Sequence, residues 1–174
     1  RPVTPFTDIA SIGPLRLAAQ GLVGNPFASV ADAVRHLLAL QAQDWPGVKA
    51  SLALRLPALT LTEVEAAFDA GLVVRSWPLR GTLHVTLSDD LPWLLRLLGP
   101  RVVAGAAARR AALALDEPTL ERARALAIAA LQGGRRLGRN ELLAVFDAGG
   151  VATDGQRGYH LLFHLSVAGP WLTK

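Results

Sequence analysis

The side chains with the clearest chemical potential are two carboxamides, those of Gln41 and Gln43, separated by one residue. Residues two apart point in very different directions in a helix and in the same direction in an extended chain. Pro46 disfavours helical backbone at Trp45, so we expect the preceding helix to end at about Leu40 or Gln41. Both carboxamides should then be partly exposed on one concave surface. Two unrelated surface glutamines are the ordinary alternative.

Other catalytic or metal-binding patterns are missing from the sequence. The absence of cysteine excludes disulfides, Cys-ligated zinc, iron–sulfur clusters and thiol catalysis. His160 and His164 have the spacing of two metal ligands on one helical face, but no carboxylate or third histidine stands at a matching offset. The P-loop, HExxH and GxSxG patterns are also lacking. We therefore predict no metal and no organic cofactor.

Positive charge is concentrated in the second half of the chain. The net charge is +4, and the basic residues are 16 arginines and 2 lysines. The part up to Leu95 holds 7 basic and 8 acidic residues, whereas the rest holds 11 basic and 6 acidic residues. Arginine forks onto phosphate oxygens better than lysine does, so this half can be a surface for nucleic acid. An arginine-rich genome with a solvated helix face explains the charge equally well.

The first half predicts three helices followed by a β-hairpin. Ser29 is a good N-cap for a helix over residues 30–40. Thr62 and Glu65 have the spacing of a capping box, which predicts the start of the third helix. The predicted elements are a short helix over 14–22, the three helices over 30–40, 48–56 and about 62–71, and strands over 72–77 and 82–87. Three helices before a two-stranded hairpin is the order of a winged helix-turn-helix, which we assign to residues 9–100.

The second half predicts a similar module without its hairpin. The predicted elements are helices over 88–98, 101–114, 117–131, 140–149 and 156–167, and a short strand over 135–137. Gly99 and Pro100 are expected to end the helix that Ser88 starts. We assign residues 101–174 to a second winged helix that lacks its wing. The predicted fold is therefore mainly α with small β-hairpins, built from tandem winged helix-turn-helix modules.

Several motifs together resemble the AlkZ-type DNA glycosylases, also known as winged-helix DNA-binding domain proteins. They stand in order, at the spacing of that family, over roughly residues 15 to 168. The motifs are Leu40-Gln41-Ala42-Gln43-Asp44, Leu52-x-x-Arg55, Val74-Arg75-Ser76-Trp77-Pro78-Leu79-Arg80-Gly81-Thr82-Leu83-His84, Leu91-Pro92-Trp93-Leu94 and Gly155-Gln156-Arg157-x-x-His160-Leu161-Leu162.

The resemblance implies a monofunctional, hydrolytic DNA glycosylase that excises alkylated purines and unhooks interstrand crosslinks. The catalytic motif of the family is Gln, an apolar residue and Gln, which maps onto Gln41, Ala42 and Gln43. A related branch has Asp at the position of Gln43. The family also implies a protein about twice this length, with three winged helices around a basic DNA channel. This chain, which has no initiator methionine, is then expected to be an N-terminal part, and the resemblance leaves open whether that part is active alone.

The implied reaction suits two neutral carboxamides. A purine alkylated at N7 is already cationic and leaves without strong general-acid help, so the remaining task is to place a water below C1′. Amide oxygens can orient that water without being ionised, unlike the paired carboxylates of ordinary glycosidases. Asp44 either adds negative potential or caps the next turn. Trp45 either walls the site or packs in the core.

Double-stranded DNA is the expected partner, and phosphate contacts are expected mainly from arginines. The candidate DNA-binding residues are Arg80, His84, Arg109, Arg110, Arg135, Arg136 and Arg139. Arg80 in the wing can contact phosphate or the minor groove, or it can pack against Trp77. We expect a cytoplasmic monomer with no membrane segment. The alternative is a non-catalytic winged-helix DNA-binding protein such as a transcriptional regulator, which usually works as a symmetric dimer.

Overall fold

The computed structural model describes residues 9–24 and 26–168, which are mainly helical with one small antiparallel sheet. The elements are α1 (Ile9–Ala19), α2 (Val30–Leu37), β1 (Leu40–Gln41), α3 (Trp45–Ala53), α4 (Leu61–Asp69), β2 (Val73–Leu79), β3 (Thr82–Leu87), α5 (Leu91–Gly105), α6 (Ala107–Ala112), α7 (Glu117–Leu131), a 3-10 turn (Gln132–Gly134), α8 (Arg139–Ala148) and α9 (Arg157–Ala168). The predicted class, mainly α with a small sheet, is confirmed. None of the described helices combines the length and apolar character needed to cross a membrane.

The chain divides into two compact units. The first contains the described residues up to Ser76 together with Thr82–Asp90, and the second contains Trp77–Gly81 and the described residues from Leu91 onward. The boundary predicted at residue 100 falls inside α5, which is one continuous helix. The tip of the hairpin thus groups with the second unit although its strands begin and end in the first.

The first unit places helices α2, α3 and α4 around a core that also takes in the sheet. Ser29 caps α2 as predicted, since its Oγ accepts a hydrogen bond from the Asp32 amide at 3.1 Å. The helix ends at Leu37, not at residue 40, because Leu40 and Gln41 pair with Val85 and His84 of β3. The buried core residues are Val30, Ala33, Val34, Leu40, Ala42, Val48, Leu52, Leu56, Val64, Ala67, Val73, Val85 and Leu87.

The capping box of α4 lies two residues earlier than predicted. The Glu63 carboxylate accepts from the Thr60 amide at 2.7 Å, and Thr60 Oγ1 accepts from the Glu63 amide at 3.3 Å. Thr60 has the extended backbone that an N-cap needs. The prediction that Thr62 and Glu65 form the capping box was therefore wrong. Two threonine–glutamate pairs share the same spacing, and only the backbone geometry shows which of them forms the box.

The hairpin turn is tighter than predicted. Strand β2 continues to Leu79, so only Arg80 and Gly81 connect it to β3, with φ angles of 51° and 71°. Two central residues with positive φ define a type I′ turn, whose twist matches that of the flanking strands. Gly81 adopts this region without strain, whereas a residue with a Cβ, such as Arg80, is held there at a cost of about 1 kcal/mol.

The second unit has a longer α5 than predicted. Gly99 and Pro100 lie inside this helix rather than ending it. A Cβ on Gly99 would lie 3.2 Å from the Val167 carbonyl oxygen, so the glycine permits a close approach to α9. Packing against α9 overrides the weak helix propensity of this pair.

Helices α7, α8 and α9 surround the core of the second unit. Asp116 caps α7 as its side chain accepts from the Thr119 amide at 3.0 Å. Residues 135–137 form no strand, so that prediction was wrong, and Gly138 rather than Asn140 is the N-cap of α8. The buried core residues are Leu115, Leu120, Ala123, Ala127, Leu142, Phe146, Val151, Leu161 and Leu165. A winged helix in this half, and hence the tandem arrangement, stays a prediction.

Candidate active site

Gln41 and Gln43 form one hydrogen-bonded pair on the surface of the first unit. Both side chains are exposed, and Gln41 Nε2 donates to Gln43 Oε1 at 2.8 Å. Ala42 between them is fully buried in the core. The extended backbone of β1 and the residues after it produce this alternation. The prediction that the two carboxamides are exposed and point in the same direction is confirmed by this contact, whereas the concave surface stays a prediction.

Two sets of hydrogen bonds hold the backbone of this pair. On the sheet side, β1 pairs with β3 and the Ala42 amide donates to the Leu83 carbonyl oxygen at 2.8 Å. Beyond the strand, Arg75 Nε donates to the Ala42 carbonyl oxygen at 2.7 Å, and its Nη2 donates to the Gln43 carbonyl oxygen at 3.2 Å. A side chain from β2 therefore holds both carbonyl groups that flank Gln43.

The link between Arg75 and the glutamine pair was not foreseen from the sequence. The contacts span 32 and 33 positions along the chain, and no local pattern in the sequence indicates them. Arg75 does belong to one of the motifs shared with the AlkZ-type family. That membership is the one sequence feature that could have indicated a role for Arg75 at this site.

Trp45 lies at the edge of the core beside this backbone. Its half-buried ring meets Phe68 edge-on at 4.8 Å between centroids. The Arg75 guanidinium carbon and the Lys49 ammonium each lie 5.6 Å from the Trp45 ring centroid, a distance typical of cation–π contacts. The indole thus packs as a core aromatic and at the same time supports the side chain of Arg75.

Asp44 occupies the N-cap position of α3 and is exposed. Its carboxylate makes no capping hydrogen bond to the described first turn of that helix, and it overlies Gly47, where a Cβ would overlap with it. A negative charge is favourable at the positive end of a helix. The exposed carboxylate therefore lies over the first turn of α3.

The two candidate residues of the hairpin differ in accessibility. Arg80 is exposed in the turn. His84 is only 6% exposed, and its Nδ1 lies 2.9 Å from the Thr82 carbonyl oxygen. The structure thus leaves Arg80 open to a ligand and places His84 among buried residues of its own unit.

The arginines predicted to bind DNA in the second unit fall into two groups. Arg109 bonds to Gln156, and Arg110 donates to the Val103 carbonyl oxygen at 2.6 Å. The other group is exposed in the α7–α8 segment, here residues 135–139, and consists of Arg135, Arg136 and Arg139, which is the first residue of α8. Arg135 also donates to the Ala129 carbonyl oxygen at 2.7 Å, which closes the end of α7.

His160 and His164 face the interior of the second unit. Burial, followed by the positive charges of Arg110 and Arg124, lowers the pKa of His164 to about 4, while Glu121 opposes this. Burial also lowers the pKa of His160. Both Nδ1 atoms lack a hydrogen-bond partner among the described residues. Within those residues no group of three or more potential ligands is placed to hold a metal ion.

A family model described as DNA glycosylase AlkZ-like matches residues 34–172. The chain belongs to this family. The match confirms the resemblance inferred from the motifs, and its range includes Gln41, Gln43, Arg75 and every arginine discussed above. No curated protein matches the chain.

Among solved structures, this AlkZ-like chain is similar to the Streptomyces sahachiroi DNA glycosylase AlkZ. The TM-score is 0.61 and the sequence identity is 23%. The similarity covers 91% of this chain and 40% of the other, so the AlkZ-like chain spans less than half the length of that protein. At this identity the likeness concerns the fold.

Proposed function

We propose that the protein is a DNA glycosylase that hydrolyses the N-glycosidic bond of N7-alkylated purines in double-stranded DNA. The observation that carries this proposal is the hydrogen bond between the exposed side chains of Gln41 and Gln43, in a chain of the AlkZ-like family. The pair presents polar atoms to solvent from a backbone that is fixed on both sides, which is what a water-positioning site requires.

The hydrogen bond defines which atoms are available to a substrate. Gln41 Nε2 is engaged with Gln43 Oε1, so Gln41 Oε1 and the second lone pair of Gln43 Oε1 remain free to accept from a water. A water held by these oxygens would be oriented to attack C1′. The same oxygen dipoles would face the positive charge that develops on the sugar as the base leaves.

The reaction needs little else from the protein. An N7-alkylated purine is cationic before the C1′–N9 bond breaks and departs as a neutral base, so no strong acid is needed; the proton that the water loses on bonding to C1′ passes to solvent. Asp44, exposed beside Gln43, adds negative potential that favours an oxocarbenium-like state. Two neutral amides and one carboxylate are thus sufficient for hydrolysis of this bond.

DNA would be held through its phosphates. Arg80 at the hairpin turn and the exposed arginines at positions 135, 136 and 139 provide guanidinium groups for that purpose. Arg109 and Arg110 bond within the second unit, as Arg135 does, and they add to the positive charge that attracts DNA. Because no second copy is needed to complete the glutamine pair, the active species is a monomer.

The test is release of the free base from a duplex that contains one N7-methylguanine. Wild-type protein should release the base and leave an abasic site, whereas Gln41→Ala and Gln43→Ala should bind the duplex but release little. A duplex crosslinked through two N7 positions, assayed in parallel, tests unhooking. Duplex binding without base release by the full-length wild-type protein would instead support the non-catalytic DNA-binding alternative.

A further inference from the structure

Arg75 carries an inference about how the glutamine pair is held. We propose that Arg75 is the positioning residue of this pair, acting through the backbone rather than by touching the substrate. Its guanidinium fixes the carbonyl groups of Ala42 and Gln43 and so sets the direction in which the two carboxamides project. The inference rests on the proposed function, since it assigns a role at the same site.

The backbone needs a tie at this point because the strand is very short. Strand β1 contains only Leu40 and Gln41, and its pairing with β3 ends with the bond from the Ala42 amide to Leu83. Gln43 lies after that last bond and before the helix that starts at Trp45. Among the described residues, the backbone of the sheet makes no hydrogen bond to this stretch beyond the Ala42 amide. Arg75 supplies hydrogen bonds there, to the carbonyl oxygens of Ala42 and Gln43.

Arg75 is itself fixed by its surroundings. It extends from β2, a strand of the same sheet, and its guanidinium carbon lies 5.6 Å from the centroid of the Trp45 ring. Trp45 in turn packs edge-on against Phe68. The guanidinium is therefore oriented by an aromatic group and aimed at two oxygens.

Only arginine can make this arrangement. The planar fork presents Nε and Nη2 in fixed directions, which suits two acceptors on successive residues. A lysine at position 75 keeps the charge and much of the apolar stem, but its single ammonium group lacks the rigid fork. Arg75→Lys therefore separates the geometric role of the side chain from its charge.

The experiment compares Arg75→Lys and Arg75→Met with the control Arg35→Met, in the full chain. Arg35 is an exposed arginine of the same unit whose ion pair is with Asp32 on its own helix. Three quantities are measured: the side-chain amide NMR signals of Gln41 and Gln43, the single-turnover rate of base release, and the Kd for a lesion-containing duplex.

Both Arg75 variants should shift the Gln41 and Gln43 amide signals while the remaining backbone signals stay dispersed. Both should slow base release by about 10²-fold, the size of effect that a misplacement of about 1 Å causes. The Lys variant should bind the duplex within about threefold of wild type, so that the loss lies in the chemical step. The control Arg35→Met should leave the glutamine amide signals, the rate of base release and the Kd for the duplex unchanged.

Two results would overturn the inference. If Arg75→Lys releases the base at the wild-type rate, the charge of the side chain matters and its forked geometry does not. This comparison remains valid even if Arg75→Met fails to fold. Unchanged glutamine signals in both folded variants would show that Arg75 does not position the pair. If the signals shift but wild-type protein releases no base, the positioning role stands and the proposed function fails.

Discussion

The hydrogen bond between Gln41 and Gln43 predicts that their contributions to catalysis are not additive. The perturbation is a double-mutant cycle of Gln41→Ala, Gln43→Ala and the double variant. Because Gln41 Nε2 donates to Gln43 Oε1 at 2.8 Å, each carboxamide holds the other in place. Removing either one leaves its partner free to rotate in solvent, so a single substitution should disable most of the pair.

The magnitude follows from this coupling. Loss of one oriented polar group typically slows the chemical step about 10²-fold, or about 2.7 kcal/mol. Independent groups would give a double variant slowed about 10⁴-fold, or about 5.4 kcal/mol. For a coupled pair the double variant should be slowed only about 10²- to 10³-fold, which corresponds to a coupling free energy of about 1.3 to 2.7 kcal/mol.

Single-turnover base release from an N7-methylguanine duplex is the assay, since product release cannot mask the chemical step there. Gln20→Ala is the matched control: the Gln20 side chain is exposed, and its backbone carbonyl, which accepts from Arg55, is preserved. A double variant slowed by the full product of the two single effects would refute the reasoning, because the glutamines would then act separately.

Three further predictions concern binding and stability. Replacing the exposed arginines of the α7–α8 segment with alanine should weaken binding to duplexes of any sequence and lower the slope of log K against log salt by up to about 3, as measured by fluorescence anisotropy; an unchanged slope would place the DNA-binding surface elsewhere. Arg80→Asn should raise the free energy of unfolding by about 1 kcal/mol, because asparagine followed by glycine suits a type I′ turn, and should weaken DNA binding; urea titration and anisotropy test both effects. The folded-state pKa of His164, about 4, lies below the value near 6.5 expected when unfolded, so the unfolded state takes up the proton first and stability falls as pH drops from about 6.5 to about 4. His164→Leu should remove that part of the pH dependence in urea titrations, and an unchanged profile would contradict it.

Local signals in the sequence predicted some elements well. The Asp116 cap and the glycines that follow α7 bounded that helix correctly, because capping depends on neighbouring residues alone. The carboxamides lie outside a helix as predicted, but the argument from Pro46 was wrong, because Trp45 is the first residue of α3 and Pro46 lies in the first turn of that helix. The actual cause, pairing of Leu40 and Gln41 with β3, depends on a strand more than 40 positions away and was not visible.

Other features depended on packing that no local pattern encodes. α5 passes through Gly99 and Pro100 because α9 packs against the glycine, although glycine and proline are residues that typically end helices. The two hydrogen bonds from Arg75 to the backbone of the glutamine pair were hidden for the same reason. The sequence thus predicted the candidate carboxamides, whereas the residues that hold them in place required the structure.

The alternation of exposed and buried side chains across the motif has a consequence for how the site tolerates change. A shift of one residue in the register of β1 against β3 would exchange the two faces, so both carboxamides would enter the core and Ala42 would emerge. Lengthening or shortening the two-residue connection between α2 and β1 by one position would favour that shift. The middle residue is constrained as well, since Ala42 is fully buried and a larger side chain would overpack the core by about 1 to 3 kcal/mol. The small apolar residue between the glutamines therefore acts as the anchor that keeps both amides on the solvent side.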